Sequence, residues 1–146
     1  MKLTTIQEEW NADSSINELD LGKEAIKTPL LHAKYITYLS NIKLLLRKAE
    51  SDYNNTRRIK YRYYRGEMSR EELEEKGWSQ YQGNKPLKNE MDEFLQCDED
   101  LNLLLDKIEY YKTGLYTLEQ IIRSINSRTW DIKSAIEWQK FTNGAF

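Results

Sequence analysis

The sequence predicts an all-α protein with two long helical regions and short N-terminal helices before them. Glycine and proline are scarce, with 6 and 2 among 146 residues, so the chain has few of the turns that a sandwich or barrel of short strands requires. Charged residues make up 32% and apolar residues 39%, a balance typical of charged helices with narrow apolar stripes. Apolar residues also recur at steps of three and four, the spacing of one helix face.

The N-terminal half begins with two short helices, predicted over residues 3–12 and 16–28. Pro29 ends the second helix and stands in the first turn of a long helix, where proline is tolerated. That long helix is predicted to run from about Leu30 to Tyr64, because its apolar stripe mostly keeps the steps of three and four.

A connector is predicted after the long helix, over residues 66–86, because Gly66 breaks the helical pattern. The segment is acidic and irregular, and its acids are placed to screen the basic residues before them. One helical turn is expected inside it, from Ser69 to Lys76. Ser69 followed by Glu72 is the sequence signature of a capping box.

A second long helical region is predicted from Leu87 onward, with an apolar seam at alternating steps of three and four. The seam is longer than one small chain can cover by itself, so it predicts homo-oligomer assembly. Cys97 lies on this seam and is predicted to pack as a small apolar group. The residues predicted to mediate oligomerisation are Leu101, Leu104, Ile108, Tyr111, Leu115, Leu118, Ile122, Ile125, Ile132 and Ile136.

Residues 57–65 read Arg-Arg-Ile-Lys-Tyr-Arg-Tyr-Tyr-Arg and concentrate positive charge in a chain whose net charge is −2. Cations neutralise phosphates and aromatic rings stack on unpaired bases, so the segment suits single-stranded nucleic acid better than a duplex. The alternative is a solvated basic helix face with tyrosines packed behind it, and the segment alone leaves both open. The predicted nucleic-acid-binding residues are Arg57, Arg58, Lys60, Arg62 and Arg65 on phosphates, with Tyr61 and Tyr64 as stacking platforms and Tyr63 in the core.

These features divide the chain into two regions by predicted role. Residues 1–86 form an N-terminal helical region that is predicted to bind single-stranded nucleic acid and includes the acidic connector. Residues 87–146 form a C-terminal helical region for oligomerisation.

The residues that would support enzyme chemistry are missing from this sequence. A single histidine and a single cysteine provide neither a zinc site nor an internal disulfide, and no glycine-rich nucleotide-binding motif occurs. We therefore expect no enzymatic activity, no cofactor and no metal. Early acidic residues argue against a signal peptide, and no apolar run approaches the roughly 18–20 residues that span a membrane. A reducing cell interior is the expected compartment.

Short motifs in a fixed order over nearly the whole chain resemble the UvsY family of recombination mediators from T4-like phages. The family's basic motif Leu-Lys-Ala-Arg aligns with residues 57–60, where Arg58 and Lys60 keep the two basic positions with lysine and arginine exchanged. The other motifs are Met1-Lys2-Leu3 with Gln7-Glu8-Glu9, Ala33-Lys34, Ile42-Lys43, Tyr63-Tyr64 with Gly66, Lys88-Asn89-Glu90-Met91, Asp98 and Asp100, Ser127-Arg128, Ile132-Lys133, and Phe141 with Gly144.

The resemblance implies a function that the residues alone do not reach. It implies a protein without enzymatic activity that forms ring-like homo-oligomers of about six or seven subunits. Its implied partners are single-stranded DNA, the phage single-strand-binding protein that it helps to displace, and a phage RecA-like recombinase that it helps to load, in the cytoplasm of the infected bacterial host. The family places DNA binding on the basic motif and oligomerisation on the C-terminal helices. The alternative is a coiled-coil scaffold that binds only protein partners.

Overall fold

The computed structural model describes residues 2–144, so Met1 and the last two residues of the predicted C-terminal region lie outside it. Over the described residues the chain forms helices and no strand, which confirms the all-α prediction. None of these helices is both long and apolar enough to cross a membrane. The helices are α1 (Leu3–Asp13), α2 (Leu21–Tyr64), α3 (Arg70–Lys76), α4 (Met91–Gln96) and α5 (Glu99–Thr142).

Helix α2 corrects the prediction of a separate helix ending near Pro29. It begins at Leu21 and continues through Pro29 without interruption. Asp20 caps its first turn by accepting a hydrogen bond from the backbone N–H of Lys23, at 3.4 Å. Proline removes one backbone hydrogen bond inside a helix, and the buried side chains of Leu21 and Glu24 hold the turns before it in place.

Packing divides the chain into two compact units, and the first combines the residues up to Leu44 with those from Lys112 onward. Its core contains Ile6, Tyr35, Leu118 and Ile125, all without solvent exposure. Tyr35 is the largest of these side chains, and its hydroxyl donates a hydrogen bond to Asp13 Oδ2 at 2.8 Å. The buried Arg128 guanidinium pairs with the buried Glu24 carboxylate, so the charge on each side chain has a partner.

The second unit comprises Leu45–Tyr111 and contains the whole basic segment. Met91, Leu95 and Leu101 form its buried cluster, and three half-buried tyrosines of α2 pack against that cluster. Helix α3 begins with the predicted capping box: the Ser69 hydroxyl accepts from the Glu72 N–H at 3.2 Å, and the Glu72 carboxylate accepts from the Ser69 N–H. The predicted capping box is therefore confirmed.

The predicted continuous helix from Leu87 is interrupted between α4 and α5. Asp98 starts α5, because its side chain accepts a hydrogen bond from the backbone N–H of Leu101 at 3.0 Å. Cys97 therefore falls in the turn before the helix and is exposed, so the prediction that it packs as an apolar group is wrong.

The predicted oligomerisation seam is partly covered within one chain. Five of its ten residues are buried and the other five are half-buried. The buried residues are Leu101, Ile108, Leu118, Ile125 and Ile132. The half-buried residues are Leu104, Tyr111, Leu115, Ile122 and Ile136. The role of the seam in assembly stays a prediction.

The predicted boundary after residue 86 does not coincide with a boundary between the compact units. Both α2 and α5 contribute residues to each unit, and the first unit combines two separate stretches of sequence around the second. The division at residue 86 therefore remains a prediction about function.

Replacing the buried Ile125 by Ala should lower the free energy of unfolding by about 2–5 kcal/mol, since it removes packed methyl groups and leaves a cavity. Ile26→Ala is the matched control, because Ile26 is 72% exposed in the same unit. The control should change stability by no more than about 0.5 kcal/mol. Urea denaturation at fixed protein concentration measures both, and equal losses would contradict the described core.

Candidate nucleic-acid interface

The basic segment, residues 57–65, forms the last turns of α2 and the residue that follows it. Gly66 ends the helix with a φ of 70°, a conformation that glycine adopts without strain. The N–H of Gly66 donates to the Tyr63 carbonyl and the N–H of Glu67 to the Arg62 carbonyl, each at 3.0 Å. This pair of bonds is a Schellman motif, which ends the helix directly after the basic segment.

Lys60 lies inside the second unit and is only 7% exposed, unlike the free phosphate contact that the sequence suggested. Its ammonium nitrogen is 3.2 Å from Asp98 Oδ2 and 2.7 Å from Asp100 Oδ2. The same nitrogen stands 4.1 Å from the centre of the Trp78 ring, within cation–π range. Two carboxylates and an aromatic face thus surround the charge, and Lys60 acts as an anchor between α2 and the start of α5.

Asp98 gathers several donors around one buried carboxylate. Besides Lys60, it accepts hydrogen bonds from the Tyr64 hydroxyl at 2.6 Å and from the Leu101 N–H at 3.0 Å. Burial pushes the pKa of Asp98 upward, but these hydrogen bonds and the lysine charge outweigh burial, and the pKa is lowered. Burial and the bond to Asp98 together raise the pKa of Tyr64 far above its usual range.

Arg62 is also paired within the chain. Its two terminal nitrogens lie 2.9 and 3.1 Å from the two carboxylate oxygens of Glu72, a bidentate arrangement. The hydrogen bonds from Arg62 lower the pKa of Glu72 and keep it ionised. Arg62 therefore fastens the acidic α3 to α2, and the connector screens this one cation.

The remaining three cations of the segment point into solvent. Arg57 and Arg65 are exposed and each meets one surface acid, Asp92 at 3.3 Å and Glu67 at 3.0 Å. Arg58 is exposed and makes no hydrogen bond or ion pair with any residue between 2 and 144. These three residues, Arg57, Arg58 and Arg65, are called the exposed arginines below.

The tyrosines of the segment differ in how far a base can reach them. Tyr63 is half-buried among the Tyr64, Trp78 and Tyr81 rings, and its hydroxyl donates to the Ser79 carbonyl at 2.7 Å. Tyr64 also packs against the buried cluster and is tied to Asp98. Tyr61 packs its ring on the same cluster but keeps its hydroxyl outside, where the Arg65 guanidinium donates to it at 3.4 Å. Tyr61 is thus the more accessible of the two predicted stacking residues.

The stretch between α3 and α4 brings two further cations to the segment, Lys85 and Lys88. Both are exposed, and with Tyr61 and Arg65 they line one groove. Sequence reasoning missed them because they lie in an irregular stretch where no helical period aligns them with α2. The one signal in the sequence that could have pointed to them is that two lysines lie close to Pro86, shortly before α4 begins.

The fold and the segment define a helical protein with an arginine-rich surface at the C-terminal end of α2. The chain belongs to the UvsY family, because the family model described as "Recombination, repair and ssDNA binding protein UvsY" matches residues 9–145. The resemblance inferred from the short motifs is thereby confirmed. A comparison with curated proteins found no match.

Solved structures of the recombination mediator protein UvsY from bacteriophage T4 share this fold. In one crystal form the TM-score is 0.83 at 24% identity, over 98% of each chain. A second form gives 0.83 at 24% identity, over 97% of this chain and 99% of the other, and a third gives 0.81 at 24%, over 94% and 98%. These matches show a shared fold over nearly the full length of both chains.

Lys60→Ala should lower the free energy of unfolding by about 3 kcal/mol, because it leaves Asp98 buried without its cation. Arg58→Ala, at an exposed position two residues away, is the matched control and should change stability by about 0.5 kcal/mol or less. Urea denaturation of both variants measures the difference. A Lys60→Ala protein as stable as the control would show that Lys60 is a free surface cation.

The lowered pKa of Asp98 predicts a loss of stability in acid. A carboxylate with a folded pKa below its unfolded value stabilises the fold above the unfolded pKa, near 3.8, and loses that contribution as the pH falls through the folded pKa. The unfolding free energy should therefore fall between about pH 5 and pH 2, and fall less in Asp98→Asn. Asp106→Asn, at an exposed position, should keep the wild-type acid sensitivity. An Asp98→Asn protein with the wild-type profile would contradict the assignment.

Proposed function

We propose that the chain is a recombination mediator that binds single-stranded DNA through the exposed arginines. In this proposal it assembles into a ring-like homo-oligomer of about six or seven subunits. It weakens the hold of the phage single-strand-binding protein and helps to load a RecA-like recombinase, in the cytoplasm of the infected host. The main support for this proposal is that Arg57, Arg58 and Arg65 are exposed at the end of α2, in a chain whose family is described as ssDNA-binding.

The surface acids near these arginines do not prevent phosphate binding. Arg57 and Arg65 each meet one acid at the surface, and the Asp92 side chain is itself 79% exposed. Exposed ion pairs contribute only about 0–1 kcal/mol, so a phosphate can replace the carboxylate at little cost. Arg58 has no such partner among the described residues and is available without any exchange.

The two cations that are paired within the chain support the exposed ones in this proposal. Lys60 holds the end of α2 to Asp98 at the start of α5, and Arg62 holds α3 to the same end of α2. Both contacts are made within the second unit, so they fix the backbone that carries the exposed arginines. We therefore assign Lys60 and Arg62 a positioning role and place direct phosphate contact on Arg57, Arg58 and Arg65.

Assembly into an oligomer increases the overall DNA affinity of a site that is weak in one subunit. Three exposed arginines offer a few phosphate contacts, and linked copies of such a site raise overall affinity by roughly 10²–10⁴ through effective concentration. The half-buried residues of the seam (Leu104, Tyr111, Leu115, Ile122 and Ile136) leave apolar surface for contact between copies. We propose that these five residues carry the self-association.

The proposed displacement needs no enzymatic step. A protein that binds one form of a DNA strand more tightly than another shifts the strand toward that form by differential affinity alone. A strand held on repeated arginine sites adopts the path that those sites impose. In the proposal this path favours the recombinase and disfavours the single-strand-binding protein.

A second candidate function is a helical scaffold that binds only protein partners. The pairing of Lys60 and Arg62 favours it, because two of the five cations in the basic segment are neutralised within the chain. Titration of a labelled oligonucleotide separates the two candidates, since a protein-only scaffold shows no binding even at low salt.

Changing Arg57 and Arg58 together to Ala should weaken binding of a poly-dT oligonucleotide and reduce the salt slope of log K by about 1.4, at about 0.7 per phosphate contact. Fluorescence anisotropy from about 50 to about 200 mM salt measures both effects. Lys107→Ala with Lys112→Ala removes the same charge from exposed positions of α5 and should leave the slope unchanged. Light scattering should show the same oligomer mass for all three proteins. A slope unchanged in the arginine variant would contradict the proposed contacts.

A further inference from the structure

A groove of about 340 Å³ lies in the second unit beside the end of α2. One side comes from the end of α2 and the other from the connector that leads into α4. The lining residues are Tyr61, Arg65, Lys85, Pro86, Leu87, Lys88 and Met91. The groove is near the lower end of the roughly 300–1,000 Å³ typical of small-ligand sites, so it suits a single small group.

The groove combines a cationic rim with an apolar lining. Arg65, Lys85 and Lys88 supply three positive charges, and none of the described residues that line the groove is acidic. The two lysines are exposed and make no hydrogen bond or ion pair with a described residue, so their charges are uncompensated. The remaining lining is aromatic or aliphatic, from Tyr61 and Met91 among others. A nucleotide has the same two parts, a charged phosphate and a flat base.

The cations are held beside the aromatic ring by the local fold. The Arg65 guanidinium lies 5.7 Å from the Tyr61 ring centre and donates to its hydroxyl at 3.4 Å. Lys85 crosses the end of α2, since its Cε lies 3.4 Å from the point where a β-carbon on Gly66 would stand. Arg65 and Lys85 therefore both lie near the end of α2 and line the groove.

The groove continues the surface of the exposed arginines. Arg58 and Arg65 are seven residues apart, so they fall on one face and roughly 10 Å apart along the helix. A strand that follows this face from Arg58 arrives at the groove beside Arg65.

We propose that the groove receives one nucleotide of the bound single strand. Lys85 and Lys88 contact the phosphate, and the base lies against the apolar lining at Tyr61. The inference rests on the proposed single-stranded DNA binding and deepens it, because it extends the site from α2 to the connector.

The test compares Lys85→Ala with Lys88→Ala against Lys107→Ala with Lys112→Ala. Both double variants remove two exposed lysines, and only the first pair lines the groove. Anisotropy with a labelled poly-dT oligonucleotide should show at least about tenfold weaker binding for the groove variant at low salt, and a salt slope smaller by about 1.4. Replacing the same two lysines by Arg should restore both. Circular dichroism and light scattering confirm helicity and oligomer mass for each protein.

Each of the other outcomes rejects either the nucleotide-binding groove or the proposed function. A groove variant with wild-type affinity and slope, beside a weakened Arg57→Ala and Arg58→Ala variant, rejects the groove and keeps the proposed function. Equal weakening by the groove and control pairs rejects the groove, because the effect is then one of net charge. A groove variant that loses only a glutamate-rich peptide, with poly-dT binding intact, assigns the groove to an acidic protein partner instead. A wild-type protein that fails to bind poly-dT at low salt rejects the proposed function itself.

Discussion

The buried contact between Lys60 and Asp98 is the interaction on which the second unit depends. It joins the last turns of α2 to the residue that starts α5, at 3.2 Å and almost without solvent. The Tyr64 hydroxyl and the backbone N–H of Leu101 both donate hydrogen bonds to the Asp98 carboxylate. One acidic side chain therefore binds a cation and a tyrosine and also caps the N-terminus of α5. A buried charge that lost these partners would be costly, which ties the positions of the two helices together.

This arrangement sorts the basic segment into two groups with different tasks. Lys60 and Arg62 are paired at close range and support the fold, whereas Arg57, Arg58 and Arg65 remain at the surface. A chain of net charge −2 can therefore still present a positively charged surface to a polyanion. Asp98, Asp100 and Glu72 neutralise the two structural cations of the segment, and its other three cations stay exposed at the end of α2.

The connector has a larger part in the site than its irregular sequence indicates. Its acidic helix α3 is fastened to Arg62, and Lys85 near its end, with Lys88 just beyond it, lines a groove with Tyr61. One segment thus contributes both acids that stabilise the fold and cations that widen the basic surface. The chain belongs to a family described as recombination, repair and ssDNA binding, and the role proposed for this surface can be tested residue by residue.

The sequence by itself determined the helical class, α1, the capping box at Ser69 and the location of the basic segment, because periodicity, capping and charge are local properties. It misjudged Pro29 and Cys97, where burial of neighbouring side chains and the Asp98 cap outweighed local preference. Only the tertiary structure decided which cations face solvent. The five cations between residues 57 and 65 look equivalent in sequence. Their exposure differs because folding brings acids up to about forty positions away within hydrogen-bond distance of some of them.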